Sequence, residues 1–128
     1  MQAGDTFLLL DVLTHVHHLY VILSDPNQSQ EQIYCAMVST RGDGKEESCI
    51  LHAGEHPFVK HDSVMVYKMP PAVLESLAQL NLWKEKGLLK FRHSVASDVL
   101  ERIHQGYVQS RYCTDRVYQL LARQGLVD

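Results

Sequence analysis

The first 69 residues of the chain divide into short apolar runs, each closed by a cluster of turn residues, and this pattern restricts the possible folds most strongly. The runs are rich in β-branched and aromatic residues, which are typical of β-strands. The clusters between them contain glycine, proline, aspartate and asparagine, which are typical of turns. Several short strands of this kind indicate a small antiparallel β-barrel rather than a parallel sheet. The predicted strands are residues 6–11, 19–24, 33–40, 49–51 and 63–67.

The pattern changes at Pro70-Pro71, after which apolar residues recur at near-helical spacing. Proline is well placed in the first turn of a helix, and basic residues with a glycine at Lys84–Gly87 predict its end. We therefore expect the second half of the chain to be mainly helical. Its later elements are a short strand near 88–92, a helix capped by Ser94 that ends near Gly106, and a last helix capped by Thr114.

The size of the chain, 128 residues, is that of one domain. We predict a single α+β domain over 1–128, with a β-barrel core at 1–69 and a mainly helical part at 70–128. The net charge of −3 gives no overall basic field that would attract nucleic acid, although a local basic face is still possible.

Several features place the chain in the cytoplasm, away from the membrane. Its apolar runs are far shorter than the roughly 20 residues that a membrane span needs, and its N-terminus has no signal-peptide pattern. The three cysteines lie far apart and form no CxxC pair, which suits free thiols in a reducing compartment. No GxSxG, P-loop or GxGxxG motif is present, so neither a serine hydrolase nor a nucleotide cofactor is predicted.

Titratable side chains concentrate in the loop between the last two predicted strands of the barrel. His56, Lys60, His61 and Asp62 surround the apolar pair Phe58-Val59. Loops held by a rigid scaffold often carry function. The chain has eight histidines, and a second group of them precedes the second predicted strand, at His15, His17 and His18.

Three kinds of site could use these residues. A metal site would need three or four convergent ligands, and neither histidine group has a known zinc spacing. An acid–base site could form where His18, which begins the second strand, meets Ser39 and Thr40, which end the third, if the two strands are antiparallel neighbours. Ser39 and Thr40 could equally do no more than end their strand.

The third kind is a binding site without chemistry. Basic side chains could bind phosphates and aromatic rings could stack on bases. Strand aromatics are more often part of the core, and scattered positive charges usually form a solvated face. The candidates are Arg41, Lys45, Lys60, His61 and Arg92 for phosphate, and Tyr20, Tyr34, Phe58 and Tyr67 for stacking.

Several segments together resemble the PemK/MazF-like toxins. The chain opens with Gly4-Asp5-Thr6-Phe7, continues with a second strand after His18, and has Met37-Val38-Ser39-Thr40 at the end of the third. The blocks 56–63 and 99–106 are similar to a divergent PemK-like group of short proteins. The resemblance implies an SH3-like barrel, a homodimer, an antitoxin partner and metal-independent, sequence-specific cleavage of single-stranded RNA.

The family's active site uses an arginine before the second strand and a hydroxyl after the third. By position, the resemblance assigns the catalytic roles to His18 in place of the arginine and to Ser39 or Thr40 as the hydroxyl. A histidine is a poorer permanent cation than an arginine at neutral pH. The substrate-binding residues expected around this site are Arg41, His56, Lys60 and His61. The alternative function is a non-catalytic SH3-like module that binds a protein or a nucleic acid.

Overall fold

The computed structural model describes all 128 residues and shows a small α+β fold with seven antiparallel strands and three helices. The elements are β1 Thr6–Asp11, β2 Val16–Ile22, β3 Ile33–Thr40, β4 Ile50–Leu51, β5 Ser63–Val66, β6 Val73–Glu75, α1 Leu77–Glu85, β7 Leu89–Arg92, α2 Ser97–Gln109 and α3 Asp115–Arg123. The strands follow one another in the sheet as β4-β5-β3-β2-β1-β7, and β6 also pairs with β3. The sheet is open, with β4 and β7 at its two ends, instead of the closed barrel that we predicted.

The central strands are apolar on both faces because helices cover both faces of the sheet. On one face, Phe7 and Ile22 pack with Leu80 of α1. On the other face, Val21 and other strand residues pack with Ile103 of α2 and with α3. Alternate residues of a strand point to opposite faces, so strands buried on both faces are apolar throughout.

The segment after Pro70-Pro71 was assigned wrongly in part. Val73–Glu75 forms strand β6, which pairs with Ile33–Cys35 of β3, and the helix begins only at Leu77. The hydroxyl of Ser76 caps that helix by accepting the N–H of Gln79 at 3.1 Å. The β3 edge supplies hydrogen-bond partners for β6 that no local sequence pattern reveals.

Strand β2 begins three residues earlier than predicted. Its first residue, Val16, pairs with Asp11, so β1 and β2 form a hairpin whose turn is residues 12–15. The Asp11 carboxylate accepts the N–H of Leu13 at 2.9 Å within the turn. His15 has a φ of 59°, a left-handed conformation that closes the turn.

Helix α2 differs from its prediction at both ends. Ala96 precedes it as the N-cap residue, while the hydroxyl of Ser94 donates to the Asp5 carboxylate at 2.7 Å. The helix passes through Gly106 and ends at Gln109. None of the three helices has the length and apolar character needed to cross a membrane.

Candidate functional site

A groove of about 360 Å³ lies where the end of β3 meets the loop before β5. Thr40 pairs with Ser63, and the N–H of Arg41 donates to the carbonyl of Asp62 at 3.0 Å. The hydroxyl of Ser63 donates to the carbonyl of His61 at 2.9 Å, so the loop is fastened to the strand it enters. We call this the β3–β5 groove. Its lining residues are Val38, Ser39, Thr40, Pro57, Phe58, Val59, Lys60, His61 and Ser63.

The β3–β5 groove has no carboxylate among its lining residues. Each of the other four principal grooves contains at least one, although the chain as a whole carries a net charge of −3. Since opposite charges attract and like charges repel over these distances, this groove is the one that best suits an anionic ligand. The carboxylates of the other four grooves are Asp5, Asp98 with Glu101, Asp11, and Glu101 with Asp128.

An aromatic ring and a cationic side chain lie together in this groove. The side chain of Phe58 is 44% exposed, so one face of its ring is open to a ligand. Lys60 and His61, two and three residues further on, are also exposed. The groove thus combines a flat apolar surface with a cation and the hydroxyls of Ser39 and Thr40.

Lys45 places a second ammonium at the end of β3. The glycine turn 42–44 reverses the chain, and Lys45 Nζ then donates to Ser39 Oγ at 3.0 Å and to the Thr40 carbonyl at 2.6 Å. Both acceptors are neutral, and no carboxylate lies within ion-pair distance of Lys45. Its charge is therefore held in place without being neutralised.

Arg41, which we predicted to bind substrate, has internal partners. Its guanidinium donates to Glu47 at 2.6 and 3.2 Å and lies 3.8 Å from Asp62. The hydrogen bond from Arg41 lowers the pKa of the Glu47 carboxyl, so that carboxyl stays charged. Arg41 does not line the β3–β5 groove.

His18 and Ser39 lie on neighbouring antiparallel strands, as predicted, but line different grooves. The β2–β3 ladder pairs Tyr20 with Met37 and ends there, before it reaches His18 and Ser39. His18 lines a separate groove of about 290 Å³ with Tyr20 and Met37, and Thr40 projects to the opposite face from Ser39.

His56, the other predicted substrate-binding residue, is buried instead of exposed at the mouth. It is only 3% exposed and bonds within the protein through both ring nitrogens. Burial lowers the pKa of its imidazole. Of the seven predicted site residues, the structure brings Ser39, Thr40, Lys60 and His61 together in one groove.

Other reactive groups in the chain do not form a second centre. No three histidine, cysteine or acidic side chains converge closely enough to hold a metal ion. All three cysteines are free, and burial raises the pKa of the Cys35 and Cys49 thiols, which leaves them protonated and unreactive.

Pro57 and Ser63 also line the β3–β5 groove but were absent from the sequence-based candidates. Pro57 lies within the histidine-rich loop and Ser63 follows it directly, so treating the whole loop as a candidate site would have included both residues. From the sequence alone, Lys45 is one of several scattered basic residues. The two glycines before it were the sign that the chain turns back toward the end of β3.

No protein-family model matches the chain, and no curated protein sequence matches it significantly. The similarity to the PemK/MazF-like toxins therefore stays a prediction from the sequence segments described above. What the site can do follows from the groove's own shape, charge and hydrogen bonding.

Proposed function

We propose that this protein binds single-stranded RNA in the β3–β5 groove. One observation carries the proposal: among the principal grooves, this one alone has no carboxylate, and it combines exposed Phe58 with Lys60, His61 and the hydroxyls at the end of β3. Single-stranded nucleic acid is typically bound by cationic side chains that follow the backbone and aromatic rings that stack on bases.

Two cationic side chains are available to phosphate groups. An ammonium has three N–H donors; two of those on Lys45 are used by Ser39 Oγ and the Thr40 carbonyl, and the third is free to donate to a phosphate oxygen. Lys60, which lines the groove, supplies the second charge. The hydroxyl of Ser39, which accepts from Lys45, can donate its own hydrogen to the same phosphate.

Phe58 supports a single strand as the ligand in preference to a duplex. Its exposed ring offers a stacking surface to an unpaired base. In a duplex the bases are already stacked on one another, so this contact would be lost. The chain is acidic overall, so binding through general electrostatic attraction is weak and the contacts of this groove dominate.

A second candidate function is metal-independent cleavage of the bound RNA, in an SH3-like, PemK/MazF-like fold that forms a homodimer and has an antitoxin partner. The specific observation in its favour is that His61 lines the same groove as Ser39 and Thr40. A histidine can transfer a proton at neutral pH, and the hydroxyls with Lys45 could stabilise charge on the phosphate. His18 lines a separate groove with Tyr20 and Met37 and is the alternative acid–base group of this second function.

Binding is tested with a labelled single-stranded RNA by fluorescence anisotropy over a range of salt concentrations. Lys60→Ala should weaken binding and reduce the salt slope by about 0.7, the value for one phosphate contact on a single strand. Lys86→Ala is the matched control, because it removes the same charge at an exposed position on the C-cap of α1. Equal slopes for the two variants would contradict the proposed groove.

Cleavage is tested separately with a long RNA incubated in EDTA. The cleavage function predicts products from the wild type and a loss of activity of about a hundredfold or more in the His61→Ala or His18→Ala variant that removes the acid–base group. If the RNA stays intact although anisotropy shows that it is bound, the protein is a binding module without catalytic activity.

A further inference from the structure

The imidazole of His56 joins three separate parts of the chain behind the β3–β5 groove. Its Nδ1 accepts the N–H of Phe58 at 3.0 Å. Its Nε2 lies 2.6 Å from the carbonyl of His93, which follows β7, and 3.2 Å from Oγ1 of Thr6 in β1. The ring thereby connects the base of the Phe58 loop to the edge of the sheet.

The partners of His56 fix which nitrogen carries the proton. A backbone N–H can only donate, so Nδ1 must be the acceptor for Phe58. A carbonyl can only accept, so Nε2 must carry the hydrogen that is directed at His93. The Thr6 hydroxyl donates its own hydrogen to the same carbonyl at 2.6 Å, which leaves its oxygen free to accept from Nε2. The arrangement therefore accommodates only the neutral Nε2–H tautomer.

We propose that neutral His56 is a positioning residue for the RNA groove. Its imidazole holds the loop that carries Phe58 in place, and protonation of the imidazole releases that loop. A proton on Nδ1 would put two N–H donors in opposition at the 3.0 Å separation between His56 and Phe58. The contact would then change from attractive to repulsive, and the loop that carries Phe58, Lys60 and His61 would lose its attachment. This inference rests on the proposed function for its effect on RNA, while its effect on the loop is independent of any ligand.

The carboxylates nearest to His56 are engaged with other partners and do not stabilise a protonated imidazole. From β1 it faces the uncharged Thr6, and from the segment after β7 it faces the exposed His93, whose protonation would oppose a second positive charge. The preceding Glu55 is bonded to Arg102 of α2 at 2.5 Å. Asp5, next to Thr6, is bonded to Ser94 and to the N–H of Gln2. Burial already disfavours the charged imidazole and lowers its pKa.

His61 also lines the groove, so the test of His56 is made in a His61→Gln background, in which only one of these two histidines remains. Protonation of His56 at lower pH weakens binding by releasing Phe58. In that background RNA affinity should therefore fall as the solution is acidified.

Two substitutions separate the bonds that His56 makes. In His56→Asn the amide oxygen takes the place of Nδ1 and accepts from Phe58 without titrating. In His56→Gln the amide nitrogen takes the place of Nε2 and donates to His93, while Phe58 loses its acceptor. We expect His56→Asn to keep wild-type affinity near neutral pH and to lose the decrease at acid pH, and His56→Gln to bind about tenfold more weakly at all pH values, the effect of one lost hydrogen bond.

The deciding experiment combines RNA anisotropy against pH with NMR of the free protein. Long-range ¹H–¹⁵N spectra of the imidazoles should show the Nε2–H tautomer at His56. The protection factor of the Phe58 amide, which compares its hydrogen exchange with that of an unstructured chain at the same pH, should fall in the wild type as His56 protonates. An unchanged Phe58 protection factor through that titration, or equal RNA affinity and pH profile for wild type and both variants, would overturn the proposal. If none of the proteins binds RNA, the proposed function fails, and the Phe58 amide in the wild type still decides whether His56 positions the loop.

Discussion

Gly106 of α2 and Cys49, just before β4, approach so closely that there is no room between them for a further carbon atom. A Cβ at Gly106 would lie 2.6 Å from the Cβ of Cys49 and 2.7 Å from the hydroxyl of Tyr67. That hydroxyl donates to the carbonyl of Ile103 at 2.7 Å on the same helix. The glycine thus allows α2 to lie directly on the sheet next to the strands that carry the candidate site.

Replacing Gly106 with alanine should therefore destabilise the fold. The methyl group would force the helix away from the sheet, and overpacking of this kind costs about 3 kcal/mol. The gain in helix propensity from glycine to alanine, about 1 kcal/mol, offsets only part of that cost. Urea unfolding followed by circular dichroism measures the difference. Gly42→Ala is the control, because nothing lies within 4 Å of a Cβ there and its stability should stay close to that of the wild type.

The ion pair between Glu55 and Arg102 should contribute stability that depends on pH. The Arg102 guanidinium holds the pKa of the Glu55 carboxyl at about 2. A carboxyl whose pKa is lower in the folded state stabilises the fold above its unfolded value of about 4.5, and this contribution is lost as the pH falls toward 2. Glu55→Gln should cost about 1 kcal/mol or less at neutral pH, because both side chains are partly exposed.

The comparison of unfolding free energies across pH checks the Glu55 prediction. The curves of wild type and Glu55→Gln should converge as the pH approaches 2 to 3. Glu47→Gln provides a comparison, since its partner Arg41 is also exposed and the pair should contribute little. A constant difference between wild type and Glu55→Gln at every pH would show that the charge of Glu55 is not the cause.

His104 should make stability decrease in mildly acidic solution. This residue of α2 is 4% exposed and donates from Nε2 to the carbonyl of Leu23 at 2.8 Å. Burial lowers its pKa in the folded state, so the unfolded chain binds the proton more readily. The stability contributed by the neutral ring is therefore complete above the unfolded pKa of about 6.5 and is lost as the pH falls through the lower folded value.

His104→Gln isolates this contribution, because the amide nitrogen can still donate to Leu23 but does not titrate. The variant should lose less stability than the wild type between about pH 7.5 and pH 5 in the same urea experiment. His17→Gln is the matched control, since it makes the same substitution at an exposed ring. Parallel wild-type and His104→Gln curves would contradict the prediction.

Sequence patterns predicted those elements whose signals are local. The bounds of β1 and β3 agree with the prediction because an apolar run ends at turn residues on each side. Strand β6 was missed because its pairing with β3 joins residues about forty positions apart, while the leucines around it fit a helix. The openness of the sheet depends on whether distant edges pair, which no local pattern encodes.

The candidate site could be predicted in the same partial way. Strands β3 and β5 are neighbours in the sheet, which places the end of β3 beside the loop that precedes β5. This pairing brings together Ser39, Thr40, Lys60 and His61. The burial of His56 could not be read from its loop, because its partners Thr6 and His93 lie 50 and 37 residues away in the chain. A polar residue in a polar loop gave no sign of an internal role.

The most direct test of the RNA-binding groove is the affinity of Phe58→Ala for a single-stranded RNA. Loss of the stacking surface should weaken binding about tenfold or more, the usual effect of removing one aromatic ring beneath a base. Tyr112→Ala is the matched control, because it removes another exposed aromatic ring, which lies under Lys68 away from the groove. We expect weakened binding for Phe58→Ala and wild-type binding for Tyr112→Ala; equal affinities for all three proteins would rule out RNA binding through the β3–β5 groove.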